Sequence, residues 1–298
     1  MNFFRLIKTG FFAFSLALFI SCGNDNELPV TKYYEYDPDL PLLDSVYLLT
    51  DTTDYQLFYL TYRSVHDKKV TGLLTLPKKG EQPLPTVILM HGLGDRKTVD
   101  YIEAGNQYLL NAGYAVLRLD ISNHGDRFKY DYDFDLTDGY RYWTRDLITQ
   151  TVFDLRRAVD FIQTREELDP RRIGYMGISL GGIIGTIFCS VEERIEVPVI
   201  VLAGGKLNLM FGKEALSGDT KDYLSIIDPI NYVARIAPRP LLMINAENDD
   251  VVPPITSKLL FNAAKKPKEI IWYPAKHHDI PIDKVYPDGI RWFNDYLK

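Results

Sequence analysis

The stretch Gly177-Ile178-Ser179-Leu180-Gly181 sets one serine between glycines two residues to either side. An apolar run, Ile173-Gly174-Tyr175-Met176, leads into it, and a small-residue helical pattern, Gly182 to Cys189, leads out. A strand that turns sharply into a helix holds the intervening residue in a strained, exposed conformation, and glycines at these spacings let neighbouring backbones approach. A serine there presents its hydroxyl at the carboxyl end of a sheet, just ahead of a helix N-terminus, where a nucleophile belongs. A hydroxyl becomes a good nucleophile only when an imidazole accepts its proton, and a carboxylate must fix that imidazole's tautomer. One G-x-S-x-G among 20 glycines is weak by itself, so its partners decide.

Those partners need a frame. Val46 to Leu49, Tyr55 to Tyr62 and Lys69 to Leu76 read as short strands joined by tight turns, an antiparallel edge. Val87 to Met90 is a short apolar run, as for a strand buried on both faces. Strand patterns follow at Tyr114 to Leu119, before Ser179, at Val197 to Leu202, Leu241 to Ile244 and Ile270 to Tyr273. Helical periodicity separates them at Val99 to Asn111, Trp143 to Glu166, after Ser179, at Ile255 to Ala264 and at Tyr286 to Leu297. The alternation predicts an α/β fold with a mostly parallel sheet, an antiparallel N-terminal edge and helices on both faces. Residues 45–298 read as one domain, with 122–142 and 204–230 as small lid segments.

In such sheets, reactive groups gather beyond the carboxyl ends of the strands. His91-Gly92-Leu93 follows the first buried strand, Ser179 the serine strand, Glu247-Asn248-Asp249-Asp250 the strand at 241–244, and His277-His278 the last one. Serine, carboxylate and histidine thus occur in the chain order that G-x-S-x-G enzymes require. From Ser45 onward the chain resembles the α/β-hydrolase superfamily, above all its dienelactone-hydrolase-like and acetyl-xylan-esterase-like serine hydrolases. It is also similar to the catalytic domain of prolyl oligopeptidases. The motifs are His91-Gly92, Gly177-Ile178-Ser179-Leu180-Gly181-Gly182, Pro238-Arg239-Pro240 before the strand that leads to Asp249-Asp250-Val251-Val252-Pro253, and the terminal His278. The resemblance implies a serine esterase. Ser179 is the nucleophile, and Asp249 is the acid, with Asp250 and Glu247 as alternatives. His278 is the base, although the family's histidine usually follows a glycine and His277 stands there instead. The backbone N–H groups of Leu93 and Leu180 form the oxyanion hole. It implies no cofactor and no metal, and a small-molecule or carbohydrate ester as substrate. A peptidase of the prolyl-oligopeptidase type and a non-catalytic hydrolase-fold binding protein are the alternatives.

Other features bound the reading. The formal net charge of −6 leaves no basic stripe for phosphates, so a nucleic-acid partner is not expected. Arg5 and Lys8, the apolar run Gly10 to Ile20, and Ser21-Cys22 read as a signal peptide over residues 1–21. Leu18-Phe19-Ile20-Ser21-Cys22 resembles a bacterial lipobox, which implies lipidation of Cys22 and an exported envelope lipoprotein, bound to membrane only through that anchor. Residues 22–44 then read as a tether and an irregular surface segment. Cys189 is the only other cysteine and reads as a small core hydrophobe. His91 is expected to brace the oxyanion loop, His124 to be structural and His66 to be a solvated turn residue. Tyr140, Trp143, Met210 and Phe211 are candidates for lining a pocket. Asp131, Asp133, Asp135 and Asp138 read as a solvated acidic loop.

Overall fold

Alternating apolar runs pair into one mixed sheet in the computed structural model, which describes residues 32–80, 82–131, 133–136, 139–210 and 224–297. Its strands are β1 (Ser45–Asp51), β2 (Tyr55–Arg63), β3 (Lys69–Pro77), β4 (Leu84–Met90), β5 (Ala115–Leu119), β6 (Leu168–Ile178), β7 (Val197–Val201), β8 (Leu241–Ala246) and β9 (Lys268–Tyr273). They lie in the order β1-β2-β3-β5-β4-β6-β7-β8-β9. β1, β2, β3 and β5 pair antiparallel in turn, and every pair from β5 to β9 is parallel. The chain moves from β4 to β5 on one side and returns to β6 on the other. The crevice at the carboxyl ends of β4 and β6 is therefore the sheet's switch point, where such folds bind ligands.

Side chains alternate across each strand, so each strand feeds two cores. Val87 and Leu89 of β4 pack with Ile102 and Leu109 of α1 (Asp100–Asn111) and with Tyr286 and Phe293 of α5 (Ile282–Tyr296). Ile88 and Met90 face the other way, toward Val152 and Val159 of α2 (Arg141–Gln163) and Ile184 and Ile187 of α3 (Leu180–Val191). Leu260 of α4 (Pro254–Ala263) joins this second core. α1 and α5 cross where Gly105 meets the Tyr286 ring: a Cβ at 105 would fall 2.3 Å from Tyr286 Cζ. The Tyr286 hydroxyl donates to Tyr101 O at 2.7 Å and fixes that ring.

Three expectations need correction. The segment ahead of β1 is more than a surface run. Tyr34 is fully buried, 5.6 Å from the Phe153 ring and 6.0 Å from the Tyr232 ring, and its hydroxyl donates to Ile226 O at 3.1 Å. Tyr36 donates to Asp160 at 2.7 Å, so aromatic anchors fasten residues 34–36 to α2. α5 begins at Ile282 rather than Tyr286 and carries in its interior Pro287, a residue type that ordinarily marks a helix start. α2 begins two residues early and ends three residues short of the periodic pattern. The signal-like segment 1–21, Cys22, Phe211 and Asp138 lie outside the described residues.

Gly105→Ala is expected to lower stability by about 1–2 kcal/mol, because overpacking against a fixed ring outweighs the gain in helix propensity. Urea unfolding at neutral pH measures it, and unchanged or raised stability would show that the crossing has room.

Candidate active site

Ser179 is the N-cap of α3, at φ 56° and ψ −117°, a region that L-residues rarely enter. Its N–H donates to Val201 O at 2.9 Å, and its carbonyl accepts from Ile183 N–H at 3.0 Å, so both sides of the turn are fixed. The turn is tight. A Cβ on Gly177 would fall 2.4 Å from Gly181 O, and one on Gly181 would fall 2.6 Å from His91 O. Tyr175, buried beneath, donates to Gly181 O at 2.6 Å. The glycines thus let β6, α3 and the end of β4 converge under the serine.

The imidazole that meets Ser179 belongs to His277. Its Nε2 lies 3.0 Å from Ser179 Oγ, and its Nδ1 lies 2.9 and 2.8 Å from the two Asp249 oxygens. Asp249 Oδ1 also accepts from the Val251 and Val252 N–H groups at 2.9 and 2.7 Å, which fixes the position of the carboxylate in a buried turn. With Nδ1–H donated to Asp249, Nε2 faces the serine as a proton acceptor.

The expectation of His278 is therefore corrected. His278 is exposed and stands edge-on to the His277 ring, centroids 5.1 Å apart. The loops after β8 and β9 are zipped together by Glu247 N–H to Tyr273 O at 2.8 Å and Asn248 N–H to Ala275 O at 3.0 Å. That register brings residue 277 to Asp249, and the next residue in the turn points away. Asp250 faces solvent and accepts from the His277 N–H at 3.4 Å. Lys276 lies 3.9 Å from its carboxylate. The backbone bonds it accepts hold that carboxyl below its ordinary range.

The loop after β4 approaches the serine from the other side: a Cβ on Gly92 would lie 3.3 Å from Ser179 Cβ. Two histidines brace this loop. His91 Nδ1–H donates to Gly92 O at 2.7 Å while Nε2 accepts from Ile121 N–H at 3.1 Å. His124 Nδ1–H donates to Ser122 O at 3.0 Å while Nε2 accepts from Gly94 N–H at 3.0 Å. Both rings use one nitrogen as donor and the other as acceptor, which only the neutral form can do. Burial lowers both, His91 to about 4. Tyr101, which carried no signal in the sequence, accepts from Gly92 N–H at 2.8 Å and donates to Asp95 at 2.7 Å. The N–H groups on either side of Leu93 are thus occupied. Among the described residues, no acceptor is bonded to the N–H of Leu93 or of Leu180. The loop rests on a buried charge cluster that was also unforeseen. Burial would raise the Asp120 carboxyl, but Lys97 Nζ, the Lys97 N–H and the Asp126 N–H together hold it below its usual range.

The remaining candidates fall into place around this centre. Cys189 is buried, and burial raises its thiol. His66 is exposed, yet it is bonded to Gln150 at 2.9 Å and set edge-on to Phe153, so it ties β3's entry to α2. Asp131 and Asp133 line a cavity of about 660 Å³ that also takes in Leu93 and His124. A larger cavity of about 1140 Å³ lies among Ser190, Glu192 and Arg194. That is the far end of α3, about 18 Å from the serine at 1.5 Å per residue, so its size has no bearing on the site.

The family model described as acetyl xylan esterase (AXE1) matches residues 30–202, and that of PhoPQ-activated pathogenicity-related protein matches residues 212–297. Esterase FrsA of Serratia proteamaculans is 26% identical over 260 residues, which are 82% of this chain and 60% of that protein. Acetyl esterase Axe7A of Xylanibacter ruminicola is 24% identical over 278 residues, 83% of this chain and 61% of that one. The chain thus spans about three fifths of the length of these two relatives. Among solved structures, the acetyl xylan esterase from Paenibacillus sp. R4 superposes with a TM-score of 0.71 at 21% identity, covering 90% of this chain and 91% of that one. Acetyl xylan esterase 1 from Thermoanaerobacterium gives 0.72 at 18% identity, covering 89% and 93%. The shared fold is that of the α/β hydrolases.

The neutral His91 has a consequence for stability. Its folded pKa is depressed from 6.5 to about 4, so the unfolded chain binds the extra proton first as pH falls. This contribution is present above pH 6.5 and is lost on the way down through 4, amounting to about 2–3 kcal/mol between pH 7.5 and 4.5. Urea unfolding at both pH values should show the loss shrinking by that amount in His91→Gln. An equal loss in both proteins would contradict it.

Proposed function

The chain belongs to the acetyl xylan esterase (AXE1) family, and on that premise we propose that it hydrolyses carboxylic esters through an acyl intermediate on Ser179. The observation that carries this reading is the unbroken line from Ser179 Oγ through the His277 ring to the Asp249 carboxylate, at 3.0 Å and then 2.8–2.9 Å. Ser179 Oγ attacks the ester carbonyl as its proton passes to His277 Nε2, and Asp249 stabilises the imidazolium that forms. The carbonyl oxygen becomes an oxyanion and is received by the Leu93 and Leu180 N–H groups, each worth about 10²–10³ in rate. Collapse expels the alcohol, which takes the proton from His277. A water molecule, deprotonated by the same imidazole, then releases the acid and frees Ser179.

The substrate we propose is an ester of a small molecule or a carbohydrate, supported by the similarity of most of this chain to acetyl xylan esterases and an acetyl esterase. The sequence Ser21-Cys22 after an apolar run supports export and lipidation at Cys22.

Two predictions follow from this reading. With 4-nitrophenyl acetate, Ser179→Ala and His277→Ala should each lower kcat by about 10⁴-fold or more, and Asp249→Asn by about 10⁴-fold, while His278→Ala stays within a few-fold. A collapse in His278→Ala alone would return the base to that residue, and undiminished hydrolysis by Ser179→Ala would dispose of the mechanism. Expressed in a Gram-negative host, the wild type should fractionate with membranes and carry a diacylglyceryl group on Cys22 by mass spectrometry. Cys22→Ala should be soluble, and an unmodified wild-type Cys22 would refute the anchor.

A further inference from the structure

A second carboxylate shares the small space in front of the nucleophile. The point where a Cβ on Gly92 would lie is 3.3 Å from Ser179 Cβ, 3.4 Å from the Tyr101 hydroxyl and 3.7 Å from Asp95 Oδ2. Tyr101 fixes that carboxylate: it donates to Asp95 Oδ2 at 2.7 Å while accepting from Gly92 N–H at 2.8 Å. Burial pushes the Tyr101 hydroxyl up, so it keeps its proton. Asp95 Oδ1 has no partner among the described residues. The triad takes its acid from Asp249, which leaves Asp95 without a part in it.

Asp95 opens on a hollow. The cavity of about 660 Å³ next to Leu93 is lined by Asp95 and by the rings of Phe128 and Tyr130, which are 59% and 55% exposed. Asn123, at φ 58°, accepts from the Lys129 and Tyr130 N–H groups at 2.9 and 3.0 Å and donates to Tyr130 O at 2.8 Å. One side chain thus fixes the backbone that carries the Tyr130 ring. Asp100, Asp131 and Asp133 add three carboxylates to the lining, against one basic side chain, Arg96. His124 on the same wall is held neutral by its two bonds, and Lys97 nearby is committed to Asp120 and Asp126.

The sheet decides which half of an ester enters. Ser179 follows β6, with β4 on one side of that strand and β7, β8 and β9 on the other. His277 and Asp249 come from the β8–β9 side, and the leaving alcohol must sit there to take its proton from His277 Nε2. The hollow follows β4, on the opposite side, and so receives the acyl half.

We infer that this hollow is a subsite for a positively charged acyl group, the ammonium of an amino-acid or betaine ester, with Asp95 as its counter-ion and the Phe128 and Tyr130 rings against its alkyl groups. The inference rests on the ester-hydrolase reading and names a substrate class for that site. Ring faces and a carboxylate held in place beforehand both attract a cation. The surplus of carboxylates repels an anionic acyl group, and a long apolar chain would bury Asp95 unpaired.

The test uses two 4-nitrophenyl esters of one shape: a trimethylammonio-butanoate and its carbon isostere, in which a tert-butyl group replaces the trimethylammonium. In the wild type kcat/KM should favour the charged ester about tenfold or more. Asp95→Asn keeps an oxygen for Tyr101 and removes the charge, so it should cut that ratio about tenfold, whatever the rate on the neutral ester. Phe128→Leu should cut it about two- to fivefold. Raising the ionic strength to about 1 M should shrink it too, since the screening length falls to about 3 Å. Equal kcat/KM on the two esters, or a ratio indifferent to Asp95→Asn, would overturn the subsite and leave the hydrolase reading standing. Acetylcholine and its tert-butyl isostere carry the difference on the alcohol, and a larger preference there would overturn the acyl assignment. A second arm titrates the ethyl ester of the same ammonium acid into Ser179→Ala by calorimetry, with and without Asp95→Asn. Binding that Asp95→Asn weakens supports the subsite even if the wild type hydrolyses no ester, in which case the hydrolase reading alone fails. Binding indifferent to Asp95→Asn overturns the subsite.

Discussion

Ser179 occupies backbone angles that cost of order 1–3 kcal/mol, and the surrounding chain is arranged to keep it there. β6 arrives beneath it, α3 leaves above it, and the end of β4 closes the third side, with glycines where the backbones touch. The turn aims the hydroxyl at the rim, and the first N–H of α3 beside it has no acceptor among the described residues. In the proposed mechanism, both the nucleophile and one donor for the developing charge thus come from one local conformation. The strain persists because the buried Tyr175 and the hydrogen bonds to Val201 and Ile183 over-determine it.

The second donor depends on restraint of a different kind. The loop after β4 has three consecutive N–H groups near the serine, and those of Gly92 and Gly94 are bonded within the protein. Tyr101 takes the first and His124 the second, while His91 holds the Gly92 carbonyl; both imidazoles are neutral rings, each locked in one tautomer by a carbonyl on one side and an N–H on the other. Burial keeps them neutral, and the cluster of Lys97, Asp120 and Asp126 anchors the same loop to the sheet. Of these three, the N–H of Leu93 has no acceptor among the described residues and is left for a substrate.

Much of this was legible because strand ends are marked by composition. Runs such as Val87 to Met90 and Leu241 to Ile244 stop at polar residues, and the switch point follows from chain order. What the residue pattern did not resolve was direction within a turn. His277 and His278 are adjacent, and both lie in the loop after β9. Their choice rests on how that loop is zipped to the one after β8, a contact between segments about 25 residues apart. The burial of Tyr34 was hidden for a similar reason: its partners Phe153 and Tyr232 are distant in sequence, while its neighbours Pro29, Asp37 and Pro38 read as loop. Tyr101 and Lys97 were illegible because a buried polar side chain on a helix start or loop leaves no periodic trace.

The central claim is that one rim brings together the Ser179 hydroxyl, the His277 imidazole and two free N–H groups. A crystal structure of the protein phosphonylated by a fluorophosphonate ester tests it most directly. The account predicts a covalent phosphorus on Ser179 Oγ, its phosphoryl oxygen within hydrogen-bond distance of the Leu93 and Leu180 nitrogens, and His277 Nε2 beside the bond. A phosphoryl oxygen turned away from both nitrogens, or an adduct facing His278, would contradict it.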